Sequence, residues 1–267
     1  MQKKVYFLTG FPRSGNTLLA KILNQNKDIG ASGHSSLPDV LYNLDLIKLK
    51  NTYNNFKSDK DYNNIVTNIF NNYYKDWSQK YIIDRGEWAT PANYALLLKY
   101  FTQDIKIIFL LRNPIDIIKS YIKLCNDYPT FYINRQYNEL DMTSLHRTEL
   151  EEKIELITKK GDLVDWSFMA YNFIKDKQNV HFVKYEDLVE NPKKILNDIY
   201  DFLDIPKFKH NFDIQDQFSI NGIKYDDNVI GAPMHTLHTG KLKNFNYPNI
   251  KLPKHILEKY KGVLYNY

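Results

Sequence analysis

The stretch from Val5 to Leu23 constrains this chain more than any other. Val5-Tyr6-Phe7-Leu8 is a short apolar, β-favouring run ended by Thr9-Gly10. Leu18, Leu19, Ile22 and Leu23 then recur at helical spacing until Asn24-Gln25-Asn26 dissolves the pattern. A strand without polar alternation is buried on both faces, so its sheet needs a covering layer on each side. The same alternation returns later. Tyr81-Ile82-Ile83, Ile105 to Leu111 and Val180 to Val183 read as buried strands, and Ile195, Leu196, Ile199, Tyr200 and Leu203 form an apolar helical stripe. Strands alternating with helices predict an α/β protein with three layers, a central mainly parallel β-sheet flanked by helices.

Composition narrows what such a sheet can serve. With 43% hydrophobic and 25% charged residues, the chain can bury a core, which excludes disordered and fibrous readings. The lone Cys125 forbids an internal disulfide and any cysteine-based metal cluster. Lysine and arginine exceed aspartate and glutamate by 36 − 31 = +5, which suits an anionic ligand without announcing nucleic acid. The apolar run Val5 to Leu8 is too short for a signal-peptide core, and Ile107 to Leu111 is far below the ~20 residues that span a bilayer, so a soluble cytoplasmic protein is expected. The length of 267 residues fits a single domain over 1–267, with helical inserts at about 36–78 and 126–178 that are rich in Tyr, Asn and charge. Such inserts cover a sheet edge or build a lid. Trp166, Met169, Ala170, Phe173 and Ile174 make one apolar face in the second, and Tyr and Asn of the first either line an acceptor groove or decorate surface helices.

Between the first strand and helix lies Gly10-Phe11-Pro12-Arg13-Ser14-Gly15-Asn16-Thr17, where a P-loop would sit. In the Gly-x-x-x-x-Gly-Lys-Ser/Thr pattern, glycines let backbone N–H groups turn toward phosphate oxygens while the helix N-terminus adds partial positive charge. Gly10, Gly15 and Thr17 are in register, but Asn16 stands in place of the lysine and a fixed cation appears earlier as Arg13. The pattern predicts a P-loop-like anion cradle of Arg13, backbone donors and the Ser14 and Thr17 hydroxyls. A second loop, Arg112-Asn113-Pro114-Ile115-Asp116, directly follows the strand Ile105 to Leu111. Asn113 can cap the next helix with Pro114 at its first position, which sets Arg112 at a strand's carboxyl end. Open α/β sheets bind ligands there. Ser120, about two helical turns on, can share an anion with Arg112.

Phe11 to Leu19, together with Leu111 to Tyr121, resembles the sulfotransferases that use 3′-phosphoadenosine 5′-phosphosulfate (PAPS). Val183 to Pro192 is a third echo. The likeness covers about 5–27, 80–124 and 180–203, and weakly 231–244; the two inserts match nothing named. Arg13 in place of a lysine resembles the tyrosylprotein and bacterial-type branches. The resemblance implies that Arg13, Ser14, Gly15, Asn16, Thr17 and Leu18 hold the 5′-phosphosulfate and that Arg112 with Ser120 holds the 3′-phosphate. It further implies that Tyr185 contacts adenine and that Lys241 and Lys243, in His238 to Lys243, belong to a basic loop closing over the nucleotide. The implied reaction moves a sulfuryl group from PAPS to a hydroxyl acceptor, gives PAP and needs no metal.

Two residues compete as the base. His34 stands where the tyrosylprotein branch keeps a catalytic glutamate, and histidine ordinarily titrates near neutrality. Glu87, in Asp84-Arg85-Gly86-Glu87-Trp88, lies near the position of the cytosolic members' catalytic histidine, with Arg85 near their extra lysine. Alternatively, His34 only caps the helix starting near Ser35-Ser36, and Glu87 only pairs with Arg85. His181 reads as a core or edge residue, and His210, His235 and His238 show no metal-ligand spacing. A P-loop nucleotide kinase or other phosphotransferase, or a nucleotide-binding protein without catalysis, are the competing functions; the acceptor and the oligomeric state are not encoded legibly.

Overall fold

The computed structural model describes residues 3–140, 147–160 and 164–262. Strands β1 Lys4–Gly10, β2 Ile29–Ala31, β3 Tyr81–Arg85, β4 Ile107–Leu111 and β5 Val180–Lys184 form one sheet in the order β2-β3-β1-β4-β5. Every pairing in it is parallel. Helix α1 Asn16–Leu23 follows β1, and α2 Leu37–Leu46, α3 Asn51–Asn55 and α4 Asp59–Tyr73 separate β2 from β3. Next come α5 Pro91–Tyr100, between β3 and β4, then α6 Pro114–Asp127, α7 Tyr132–Asn138, α8 Glu149–Glu155 and α9 Val164–Ile174 before β5. Helices α10 Tyr185–Glu190 and α11 Pro192–Leu203 follow β5. A small antiparallel pair, β6 Asp213–Ile214 with β7 Gly240–Lys241, and α12 Lys254–Tyr260 complete the described elements. No helix among the described residues is long and apolar enough to cross a membrane.

The period-two alternation of each strand sorts the core into layers. Tyr6, Leu8, Ile83, Ile108 and Leu110 point to one face, where they pack with Leu19, Ile22 and Leu23 of α1 and Leu196, Ile199 and Leu203 of α11. Val5, Phe7, Ile82 and Ile107 point to the other and meet Leu37, Leu41, Val66 and Phe70 of α2 and α4. Phe109 and Leu111 extend that second face toward Ile117, Ile118 and Tyr121 of α6 and Ala170, Tyr171 and Ile174 of α9. The expected three-layer α/β fold with a parallel sheet is therefore present.

Details depart from expectation where the chain pattern is weak. Strand β2 has three residues, one of them Gly30, too little for an apolar run to register. In α9 the buried residues are Val164, Ala170, Tyr171 and Ile174, whereas Trp166, Met169 and Phe173 are exposed, Trp166 at 52%. The face drawn from sequence thus straddled two sides of the helix. His34 does not cap α2; the Ser35 hydroxyl accepts the Leu37 N–H at 3.1 Å. Asn113 does cap α6, its Oδ1 accepting from Ile115 N at 2.9 Å. His181 lies in the edge strand β5, stacked on Phe202 with ring centroids 5.2 Å apart.

Strand β1 leads into the loop through a backbone contact that admits no side chain. Gly10 has φ +150, and a Cβ there would stand 2.4 Å from the Leu110 carbonyl oxygen of the paired strand. Gly10→Ala is expected to cost roughly 2–4 kcal/mol, because strained φ and an immovable backbone neighbour act together. Chemical denaturation of the variant beside the wild type checks this.

Candidate active site

The loop after β1 is held in shape by its own side chains. Ser14 Oγ donates to the Phe11 carbonyl at 2.5 Å, and Asn16 Nδ2 donates to the same carbonyl at 2.9 Å and to Ser14 Oγ at 3.1 Å. The Ser14 hydroxyl, expected in the cradle, is fully buried and turned into the loop instead. Gly15 takes φ +86, and a Cβ on it would meet the Tyr185 ring at 2.8 Å. No side chain caps α1, so its first amides are left for an anion. Arg13 is in a left-handed conformation, φ 57, rare for a residue with a side chain.

The second loop meets the first directly. Arg13 Nε donates to Ser120 Oγ at 3.1 Å, and Arg13 Nη1 donates to the Met234 carbonyl. Arg112 is buried; its Nη1 donates to the Arg13 carbonyl at 2.6 Å and its Nη2 to the Phe245 carbonyl at 2.5 Å. Its guanidinium carbon lies 4.3 Å from the Tyr185 ring centre, while Nε is buried without a hydrogen-bond partner among the described residues. Ser120 therefore bonds Arg13, not Arg112, and the two loops are in direct contact. They adjoin because β1 and β4 are neighbours in the sheet.

Both loops open into one cavity of about 310 Å³ at the carboxyl ends of β1, β3 and β4 and the start of α10. Of the residues expected in a site, Arg13, Gly15, Asn16, Thr17, Leu18, His34, Glu87, Arg112, Tyr185, Lys241 and Lys243 line it. Ser14 and Ser120 stand behind the wall. Residues 36–78 contribute nothing to it, whereas Trp166, Ser167 and Ala170 of α9 do. The C-terminal segment forms the far wall, with His238 stacked on Phe245 at 4.0 Å and Lys243 5.1 Å from that ring's centre.

Alternation along β3 sends Asp84 down and Arg85 up. Asp84 is wholly buried, bonded by the Tyr74 hydroxyl and, at 2.7 Å, by Trp88 Nε1. Burial pushes its carboxyl up to about 6 against the pull of those hydrogen bonds. Arg85 enters the cavity, where Nη1 donates to Thr17 Oγ1 at 3.2 Å and to the Tyr225 hydroxyl at 2.5 Å. Glu87 is exposed at the rim, and its carbonyl accepts from Asn93 Nδ2 at 2.8 Å. His34 touches water at the cavity mouth yet has protein on most sides; desolvation, then the charge of Arg85, pushes it down to about 4. Both act against protonation of the ring.

The sequence pattern assigns no site role to three residues here, His235 having been weighed there only as a metal ligand. Tyr225, Asp227 and His235 form a stacked and hydrogen-bonded group against Arg85, with His235 lining the cavity. They lie in a stretch with almost no regular structure, so no periodicity marked them.

A P-loop-like parallel sheet with a glycine-bounded loop after its central strand defines the general class. The profile of the sulfotransferase domain matches residues 3–227, and the chain belongs to that family. Among solved structures it is similar to the sulfotransferase domain from the curacin biosynthetic pathway, at 18% identity over 78% of this chain and 76% of that one, with a TM-score of 0.49. The sulfotransferase domain from the olefin synthase of Synechococcus PCC 7002 gives 20% identity over 78% and 75%, TM-score 0.47. Mouse sulfotransferase SULT7A1 complexed with PAP gives 18% over 78% and 60%, TM-score 0.45. No match was found among curated proteins.

The low His34 value carries a sign that can be measured. The folded imidazole is deprotonated at neutral pH and gains its proton only near pH 4, against 6.5 without the fold. Its contribution therefore makes stability rise as pH climbs through that window, since the unfolded chain binds the extra proton. NMR titration should place the His34 midpoint near 4, and Arg85→Gln should move it upward by removing a facing positive charge.

Proposed function

We propose that this chain transfers a sulfuryl group from PAPS to a hydroxyl acceptor, releasing PAP. The observation that carries the reading is the charge of the cavity wall. Arg13, Arg85, Arg112, Lys241 and Lys243 converge on one space to which Glu87 contributes the sole carboxylate among its described lining residues. A ligand with anionic groups at two ends suits that wall, and membership of the sulfotransferase family supports this particular one. The residues fit the nucleotide: free amides at the start of α1 for the 5′ group, Arg112 with its unused donors for the 3′-phosphate, and the Tyr185 ring for the base. PAPS brings the activated sulfuryl group; the protein's own part is placement and charge compensation. A kinase reading is weakened because Asn16 stands in the lysine position with its amide tied to the Phe11 carbonyl.

Sulfuryl transfer leaves negative charge on the departing bridge oxygen, and Arg13 is positioned to compensate it. Ser120 and the Met234 carbonyl hold its side chain within the cavity, so little reorganisation is needed. His34 and Glu87 are the candidate bases from sequence; His34, deprotonated but weakly basic, fits a substrate-positioning role better than proton abstraction near neutral pH. We further read residues 1–267 as one domain. A cytoplasmic location is part of the same reading.

Two measurements test the function. PAP should raise the melting temperature more than ATP with Mg²⁺ does, since a ligand stabilises only the native state it binds. The reverse order would favour the phosphotransferase. Arg13→Ala should retain its fold by circular dichroism while PAPS turnover falls by about 10²–10³; an active variant would remove Arg13 from the chemistry.

A further inference from the structure

The group that sequence reasoning passed over has the construction of a proton acceptor. His235 Nδ1 lies 2.7 Å from Asp227 Oδ1, and Asp227 Oδ2 accepts the His235 backbone N–H at 2.8 Å. The imidazole lies flat on Tyr225, with centroids 3.8 Å apart and planes 2° from parallel. The hydroxyl of that tyrosine accepts from Arg85, which also holds Thr17 of the anion loop. A carboxylate on Nδ1 fixes the proton there and leaves Nε2 as the lone-pair nitrogen. Nε2 has no hydrogen-bond partner among the described residues, and the ring, 17% exposed, lines the cavity with Arg13, Arg85 and His34. No carboxylate holds the His34 ring in this way among the described residues.

We propose that His235, oriented by Asp227, is the catalytic base that accepts the proton of the acceptor hydroxyl; this rests on the sulfotransferase reading above. Nε2 takes the proton as the acceptor oxygen's electron pair forms the new bond to sulfur. The bond between sulfur and the 5′-phosphate oxygen breaks, with its pair staying on that oxygen as PAP leaves. The resulting imidazolium is compensated by Asp227 and later returns the proton to water. Burial first, then Arg85 and Arg13, lower the ring's proton affinity, while Asp227 opposes them. The Asp227 carboxylate behind Nδ1 supports the charged form of the ring once the proton arrives. Asp227 is a positioning residue, acting through Nδ1.

The test uses PAPS with water as acceptor, followed by PAP release, and with phenol as a probe hydroxyl, beside direct PAP binding. His235→Phe keeps a flat ring for Tyr225 but has no acceptor nitrogen. The expected result is a fall of about 10²-fold or more in kcat with PAP affinity retained. Asp227→Asn, which keeps one oxygen acceptor and sets an NH2 donor against the other N–H, should also lower kcat while leaving PAP binding in place. Nitrogen-15 shifts of the wild type should show Nδ1 protonated and Nε2 bare at neutral pH. Wild-type kcat in His235→Phe, loss of PAP affinity in step with kcat, or the opposite tautomer would overturn the base assignment while sulfuryl transfer stands. A wild-type protein that neither binds PAP nor releases it from PAPS would overturn both.

Discussion

The cavity depends on the buried guanidinium of Arg112. From the end of β4 it grips the carbonyl of Arg13 in the loop after β1 and that of Phe245 in the C-terminal segment, and it lies against Tyr185 at the start of α10. Burying a charge is costly unless hydrogen bonds replace water, and charge-assisted bonds to carbonyls do so here. Three segments distant in sequence are thereby fixed relative to one another by one side chain. Without it, the Arg13 and Phe245 carbonyls would each lose a partner, and the anion loop would lose its tie to the far wall.

The sheet's topology explains why so much chemistry gathers at one edge. β1 is central, and the chain passes to β2 and β3 on one side before crossing to β4 and β5 on the other. At that switch point the helices after β1 and β4 pass to opposite faces of the sheet, where open α/β sheets form crevices, while the loops themselves stay in contact. β3 contributes by parity. Asp84 is locked from below by Tyr74 and Trp88, and that anchor fixes the next residue, Arg85, pointing upward into the cavity. The apolar layers stabilise the scaffold, and the residues one step beyond each strand carry the charge.

Legibility followed burial. Strands β1, β3 and β4 stood out because each is apolar on both faces, β5 because Val180, Phe182 and Val183 are β-favouring although it is a half-buried edge strand, and α11 because its stripe is narrow and regular. β2 and the true buried face of α9 did not, the first for brevity and the second because its apolar residues surround the helix. In the site, loops joined to strands were readable from spacing, and Arg13, Thr17 and Arg112 reach the cavity; so does Tyr185, which only the family resemblance pointed to. What spacing cannot reveal is how a side chain spends its donors. Ser14 turned into its own loop and Ser120 toward Arg13 for that reason. The pairing of Asp227 with His235 was hidden more deeply, since only the folded path of an irregular segment brings the two together.

Arg13 has a left-handed backbone, which a side-chain-bearing residue adopts at a cost on the order of 1 kcal/mol and glycine adopts freely. Glycine would suit the turn at that position but would remove the cation that the proposed reaction sets against the departing oxygen. Folding and reactivity thus draw the position in opposite directions, and the chain keeps the residue its backbone tolerates less well. A search for sturdier versions of this protein would drift toward inert ones at position 13 before anywhere else in the loop.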